Sequence, residues 1–360
     1  MIIKEALRTI WGTLFRWLPL SVEPGLRVIG HPDEKSPVLV TANFDLTLKR
    51  VSKHIKNLDC YLLVAPTRGI NVWCAAVGGD FTAHSVISVI KTSGIGEIVT
   101  HRRLILPQLS APGVDAGLVQ RETGWNCKFG PVYARDIPRY IAGGFEKTGD
   151  MRYVRWSLID RLDVGYAIFM PVFLVILIIL AIFLRAWLLE FTVMGLSTLI
   201  LAYGLYPLIP GKAGWHKLLF LEGLLSIALI AVVLSGIGAK DYIRNLLIME
   251  IGLVFIIGLD FAGTTPYQKS DLEPLLIKAG IRRLGFMNIG KMVKVPGSIV
   301  AIDRARCTDC GVCIDVCPTG VYQMENSGYR KVAVQHPGSC EDCRACILQC
   351  PAGAISFTAG

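Results

Sequence analysis

VGYAIFMPVFLVILIILAIFL (164–184) runs for twenty-one residues without one charged side chain, and as a helix it rises far enough to cross a hydrocarbon core of roughly 30 Å. Trp187–Leu208 and Leu218–Ile237 repeat the pattern and are almost free of charge. All three read as transmembrane helices. A fourth apolar centre, Leu246–Leu259, is shorter and interrupted by Glu250. We read it as a span too, because an even number returns both soluble parts of the chain to one side. The basic residues agree. Arg152, Arg155 and Arg161 precede the first span, Lys212 and Lys217 lie between the second and third, and Lys269, Lys278, Arg282 and Arg283 follow the fourth. Arg185, Lys240 and Arg244 lie on the other side and are outnumbered. Glu190, Glu222 and Glu250 fall in or beside these spans; near a span end a hydrated acid costs little, so no ion path is read from them.

The whole composition carries the same message. Of 360 residues, 52% are hydrophobic and the mean hydropathy is +0.51, too apolar for a soluble chain of this length. Lys+Arg exceed Asp+Glu by 37 to 28, a surplus suited to anionic membrane lipid and cytoplasmic loops. No aromatic-interleaved basic run appears, and nucleic acid is not an expected partner.

Upstream of the spans, residues 1–25 place Ile3, Leu7, Ile10, Leu14 and Leu18 at helical spacing, broken by Lys4, Arg8 and Arg16. This is an amphipathic segment, not a cleaved leader. From 26 to 150, the β-rich runs PVLVTANF (37–44), DCYLLVAP (59–66) and RLILPQL (103–109) alternate with helical stretches, the pattern of an α/β domain with a parallel sheet. Ligands of such domains sit at the carboxyl ends of strands, which directs attention to the loops after Val40, Val64 and Leu106. The chain therefore reads as a multidomain membrane protein. It has an α/β domain (26–150), an all-α transmembrane bundle of about four helices (164–261), a linker (262–297) and a C-terminal α+β domain (298–360).

Eight of the eleven cysteines lie between 307 and 350. Cys307, Cys310, Cys313 and Cys317 precede Pro318, and Cys340, Cys343, Cys346 and Cys350 precede Pro351, so C-x-x-C-x-x-C-x-x-x-C-P occurs twice. Two residues between thiolates let a short loop wrap three corners of a cubane, with the fourth cysteine free to reach elsewhere. Structural zinc is the alternative, but four-ligand zinc has no use for the third pair and the trailing proline. Thiolates held for metal imply a reducing compartment.

The repeated run resembles bacterial two-cluster ferredoxins. That resemblance implies one 4Fe-4S cluster on Cys307, Cys310, Cys313 and Cys350, and a second on Cys340, Cys343, Cys346 and Cys317.

Cys74 lies in TRGINVWCAAVGGDF (67–81), on a brief helix after a strand end, with Asn71, Val77 and Gly78 on its face. A lone cysteine among small residues is more often an inert buried thiol. NVWCAA, however, resembles the cap-helix signature N-[VI]-W-C-A-[AG]-G-K of the corrinoid protein of microbial mercury methylation (HgcA), and the cysteine-rich tail resembles its ferredoxin (HgcB). PVLVTANFDLT (37–47), LILPQLSAPGV (104–114), FGPVYARDIP (129–138), PLIPGKA (207–213) and SIVAIDRARCTDCGVCIDVCPTGVY (298–322) extend the likeness along nearly the whole chain. The soluble blocks are also similar, more weakly, to the large subunit of the corrinoid iron–sulfur protein of acetyl-CoA synthesis.

The resemblance implies a base-off, cobalamin-type corrinoid with Cys74 as the cobalt ligand and catalytic residue. Asn71 and Trp73 would position it, and the Thr67, Gln108 and Gly113 loops would contact the corrin or its tail. It also implies methyl transfer to an acceptor such as Hg(II). The methyl would come from a methylated pterin or another corrinoid protein, and the ferredoxin, fed by an external electron donor, would return the cobalt to Co(I). The expected location is the inner membrane, with both soluble domains cytoplasmic. Two departures keep a non-mercury acceptor open. Val77 and Gly78 replace the family's Gly-Lys, and the sequence ends in ISFTAG where the mercury ferredoxin has a cysteine pair. A membrane-anchored ferredoxin that only moves electrons is the rival from another class.

Overall fold

The computed structural model describes residues 11–211, 214–235, 240–261, 298–326, 330–340 and 343–359. Ile3, Leu7 and Ile10 of the amphipathic segment, Lys212, and the linker 262–297, with Lys269, Lys278, Arg282 and Arg283, lie outside them. The chain forms two compact units, one joining Met1–Val154 to Tyr267–Gly360 and the other comprising Arg155–Pro266.

In the first unit, strands β1 (Gly25–Ile29), β2 (Val38–Ala42), β3 (Cys60–Ala65), β4 (Arg103–Leu106) and β5 (Asn126–Phe129) form one sheet in the order β1-β3-β2-β4-β5. Strands β2 to β5 are parallel, but β1 pairs antiparallel with β3. The parallel-sheet expectation is thus corrected at one edge, where β1 is antiparallel and Val28 is exposed. Strands β2 and β3 are buried along their whole length, as continuous apolar runs require when both faces are covered. Alternate residues divide between two cores. Val38, Val40, Leu63, Leu104 and Leu106 face Phe81, Val86 and Ile90, whereas Leu39, Leu62 and Ile105 face Ile55, Tyr140 and Met151. Helices α1 (Asp45–Ile55), α2 (Val72–Gly78), α3 (Ala83–Ser93), α4 (Ala116–Thr123) and α5 (Ile137–Ala142) line these cores, while Phe81 lies between α2 and α3 and Met151 follows α5. The connections leaving β2 and β3 run to opposite faces, which is where an open α/β sheet forms its crevice.

The second unit contains α6 (Leu158–Phe183), α7 (Leu188–Gly204), α8 (Gly214–Leu234) and α9 (Lys240–Phe261). Helix α6 starts six residues before the expected span because Ser157 and Asp160 form a capping box. Among the described residues, Leu158–Phe183, Arg185–Gly204 and His216–Leu234 are long and apolar enough to cross a membrane. Helix α9 covers the fourth expected span but is not among the helices that are long and apolar enough to cross. Small residues admit close packing: a side chain at Gly165 would strike Tyr203, at Gly195 Phe173, and at Gly258 Leu218. Thr198 donates to Glu250 at 2.6 Å, so this acid is spent on a helix–helix bond. Helices α2 and α3 are also apolar, but they meet at 118° and bury Ala75, Ala76, Val86 and Ile90 in the sheet's core, so they form no span.

In the C-terminal part of the first unit, β6 (Ser298–Ile302) pairs antiparallel with β9 (Ile355–Ala359), and β7 (Tyr322–Asn326) with β8 (Arg330–Val334). Helices α10 (Val312–Val316) and α11 (Ala345–Gln349) follow the two cysteine loops. Gly311 and Arg344 occupy the same place in the two repeats, and both are left-handed.

Candidate functional site

The cap helix α2 is seven residues long, too short to persist without external support. Its support begins at the end of β2, where Asn43 Oδ1 accepts the amides of Thr67 (2.8 Å) and Gly69 (2.9 Å). The Thr67 hydroxyl donates to the Ile70 carbonyl at 2.8 Å. Gly69 has φ +72°, and a Cβ there would lie 2.7 Å from the Ser21 amide nitrogen, so only glycine fits the turn. Arg68, also left-handed, pairs with Asp80 at 3.2 Å and so links the segments before and after the helix. The Asn71 side chain then accepts the Cys74 amide at 3.0 Å, and Gly79 closes the other end at φ +84°.

Cys74 is half-buried. Burial pushes its thiol up, opposed by the Asn71 hydrogen bond. It is therefore a neutral thiol at neutral pH, not an activated nucleophile. To act as a soft donor to a metal it would have to lose its proton. Cys60 and Cys127, raised by burial to about 11 and about 12, lie in strands; Cys74 alone of the three sits on the helix that opens the crevice.

The structure gives the other sequence-indicated residues distinct places. Trp73 is half-buried beside Cys74, and Val77 is buried. Thr67 is buried within the Asn43 network. Gly113 lies against the cap helix, where a Cβ would overlap the Ala76 and Phe81 carbonyls; glycine permits that approach. Gln108 is buried and bonded throughout: its amide nitrogen donates to the Arg152 carbonyl (2.8 Å) and the Cys317 carbonyl (3.4 Å), and its oxygen accepts from Lys147 (3.0 Å). Thr67, Asn71, Gln108 and Gly113 thus build the frame, and Trp73 and Cys74 are half-buried on the helix it holds.

The eight clustered cysteines divide between two cavities. One is lined by Cys317, Cys340, Cys343 and Cys346; the other by Cys307, Cys310, Cys313 and Cys350. The fourth thiol of each set comes from the opposite repeat. Among the described residues no three His, Cys, Asp or Glu side chains converge on a single ion, so the sulfurs surround a volume, which suits a cubane better than zinc. Donors point at the sulfurs: the Val321 amide to Cys317 (3.4 Å), the Ala354 amide to Cys350 (3.3 Å) and the Tyr322 hydroxyl to Cys346 (3.1 Å).

These cavities are built against the α/β sheet domain. Val316 and Ala345 share the core that holds Ala75 and Ala76, and Val312 and Cys343 pack onto it. Gln349 donates to the Ala111 and Val114 carbonyls at 2.8 and 2.7 Å, on either side of Gly113. Lys147 reaches the Asp315 carbonyl (2.7 Å) and carboxylate (3.1 Å), and the Val154 amide the Pro318 carbonyl (2.9 Å). Asn43, Lys147, Asp315 and Gln349 were not evident from sequence, since their partners are distant in the chain. A polar residue at a strand's carboxyl end was the one available signal, and only for Asn43.

Comparison with known proteins agrees with this division. Residues 15–141 match the family described as CO dehydrogenase/acetyl-CoA synthase delta subunit, and residues 306–354 the 4Fe-4S dicluster domain. The chain pairs a CdhD-like domain with a 4Fe-4S dicluster domain. The gamma subunit of the acetyl-CoA decarbonylase/synthase complex of Methanopyrus kandleri is 40% identical over 136 residues, 37% of this chain and 28% of that protein. The Archaeoglobus fulgidus gamma subunit is 40% identical over 125 residues, 34% and 26% of the two chains. The corrinoid/iron-sulfur protein large subunit of Moorella thermoacetica is 36% identical over 122 residues, 33% and 27%. The chain thus spans only about a quarter of these relatives' length.

Proposed function

We propose that this protein is a membrane-anchored, corrinoid-dependent methyltransferase of the mercury-methylating kind, with Cys74 as lower cobalt ligand and the C-terminal domain as its electron supply. A bound corrinoid would supply a methyl group on cobalt for transfer to an acceptor such as Hg(II). This chain's residues prepare the site. Asn71, Arg68 and Asp80 hold the cap helix, and Cys74 gives up its proton when its sulfur takes the metal. The Gly113 loop connects that helix to Gln349, one residue before Cys350. Each cysteine cavity holds one 4Fe-4S cluster, with Cys317 and Cys350 crossing between repeats. The four apolar helices anchor both soluble domains on the cytoplasmic side of the inner membrane. The methyl donor and electron donor are separate molecules.

The observation that carries this reading is the half-buried, soft donor Cys74, on a helix fixed at both ends and joined through one loop to a cluster-bearing helix. The likeness to a corrinoid/iron-sulfur protein supports it. The replacement of the family's Gly-Lys by Val77 and Gly78 favours a second reading, the same chemistry on another acceptor, because a cation that could hold an anionic acceptor is missing. Metal analysis of full-length protein purified anaerobically from cobalt-supplied cells tests the main reading. It should give one cobalt and about eight irons per chain. Eight irons without cobalt would leave only an electron carrier, and zinc in place of iron would remove the electron supply.

A further inference from the structure

Lys147 is a buried cation, its side chain only 3% exposed. It is held by the Asp315 carbonyl and carboxylate and by Gln108 Oε1, while Gln108 Nε2 points to the Cys317 carbonyl. The Arg152 guanidinium lies 3.8 Å from the same carboxylate. One carboxylate therefore faces two cations, leaving net positive charge beside the peptide of Cys317. The cavity that Cys317 lines is also the one that touches the α/β domain through its own ligands. Cys343 packs on that domain's core, and the Cys317 carbonyl accepts from it. In the other cavity, Cys310 is exposed.

Resting on the reading that each cavity holds a 4Fe-4S cluster, we infer that Lys147 and Gln108 make the Cys317/Cys340/Cys343/Cys346 cluster the higher-potential, inner member of the pair, which delivers electrons to the α/β domain. Buried positive charge and an amide donor stabilise the reduced, more negative cluster, since each interaction is strong in a low-dielectric interior. A low-potential one-electron protein carrier docks near Cys310 and is oxidised, reducing the outer cluster by one electron. That electron passes inward, so the outer cluster is reoxidised and the inner one reduced, with no proton or bond change.

Redox titration of the full-length, anaerobically purified protein, followed by electron paramagnetic resonance, tests this. Cys310→Ser, which alters the outer cluster, assigns the two signals. Lys147→Met should make the midpoint of the inner cluster more negative while leaving the outer midpoint and the iron content unchanged, and Lys147→Arg should restore the wild-type value. Gln108→Leu, which removes the amide but no charge, should shift the same cluster in the same direction by less. An unchanged inner midpoint in either variant with full iron, or an equal shift of both clusters, would overturn the inference. Wild-type protein lacking iron would instead overturn the cluster reading beneath it, so the two failures are distinguishable.

Discussion

Asn71 has a structural task within the helix that carries Cys74. Its place in NVWCAA suggested a corrinoid contact, but its oxygen caps the Cys74 amide. Loss of such a cap costs about 1 kcal/mol. Asn71→Ala should therefore speed hydrogen exchange at the Cys74 amide and weaken, without abolishing, cobalt retention. The thiol itself predicts a pH dependence. Because burial raises its pKa, cobalt ligation must release a proton throughout the neutral range, so corrinoid affinity should strengthen as pH rises, by up to tenfold per unit. Measured affinity flat between about pH 6 and about pH 8 would oppose thiolate ligation. Cys74 stood out in the sequence because its neighbours resemble a signature. The Asn43–Thr67 bond was not, since a linear pattern shows a polar residue at a strand end but not the partner 24 positions away.

Strands β2, β3 and β4 were readable from their apolar runs, while β1 and β5 were missed for a physical reason. GLRVI and NCKF are short, charged and only partly buried, so they lack the continuous apolar run of a central strand. The two cysteine loops stood out because their repeated spacing is local, and the crossing of Cys317 and Cys350, implied by the resemblance to two-cluster ferredoxins, matches the lining of the two cavities. Cys317→Ser should therefore damage the cluster bound by the second repeat, and Cys350→Ser the one bound by the first; spectra showing each change confined to its own repeat would contradict the crossed cavities. The packing of the Gly113 loop on the cap helix makes a further demand. Gly113→Ala forces a methyl onto the Ala76 and Phe81 carbonyls and should lower thermal stability by about 1–3 kcal/mol, the usual cost of overpacking. An unchanged melting transition would show that the contact is loose.

At the scale of the whole molecule, the apolar helices, the sheet domain and the cluster domain were each visible in the sequence, but the bonds of Lys147, Gln108 and Gln349 that join the sheet domain to the cluster domain were not. Those bonds join residues up to 238 positions apart, and nothing local marks them. If the helices form an even number of spans, reporter tags at the two ends of the chain should both register the cytoplasmic side; opposite sides would mean an odd number and would separate the clusters from the cap helix. The central claim is that the Cys74 sulfur ligates a corrinoid cobalt, and the optical and paramagnetic spectrum of cobalt in wild-type and Cys74→Ala protein tests it most directly. The account predicts a sulfur-ligated signature in the wild type that disappears in the variant, with all eight irons retained and methyl transfer lost. A cobalt spectrum identical in the two proteins would contradict it and return Cys74 to the role of an inert thiol.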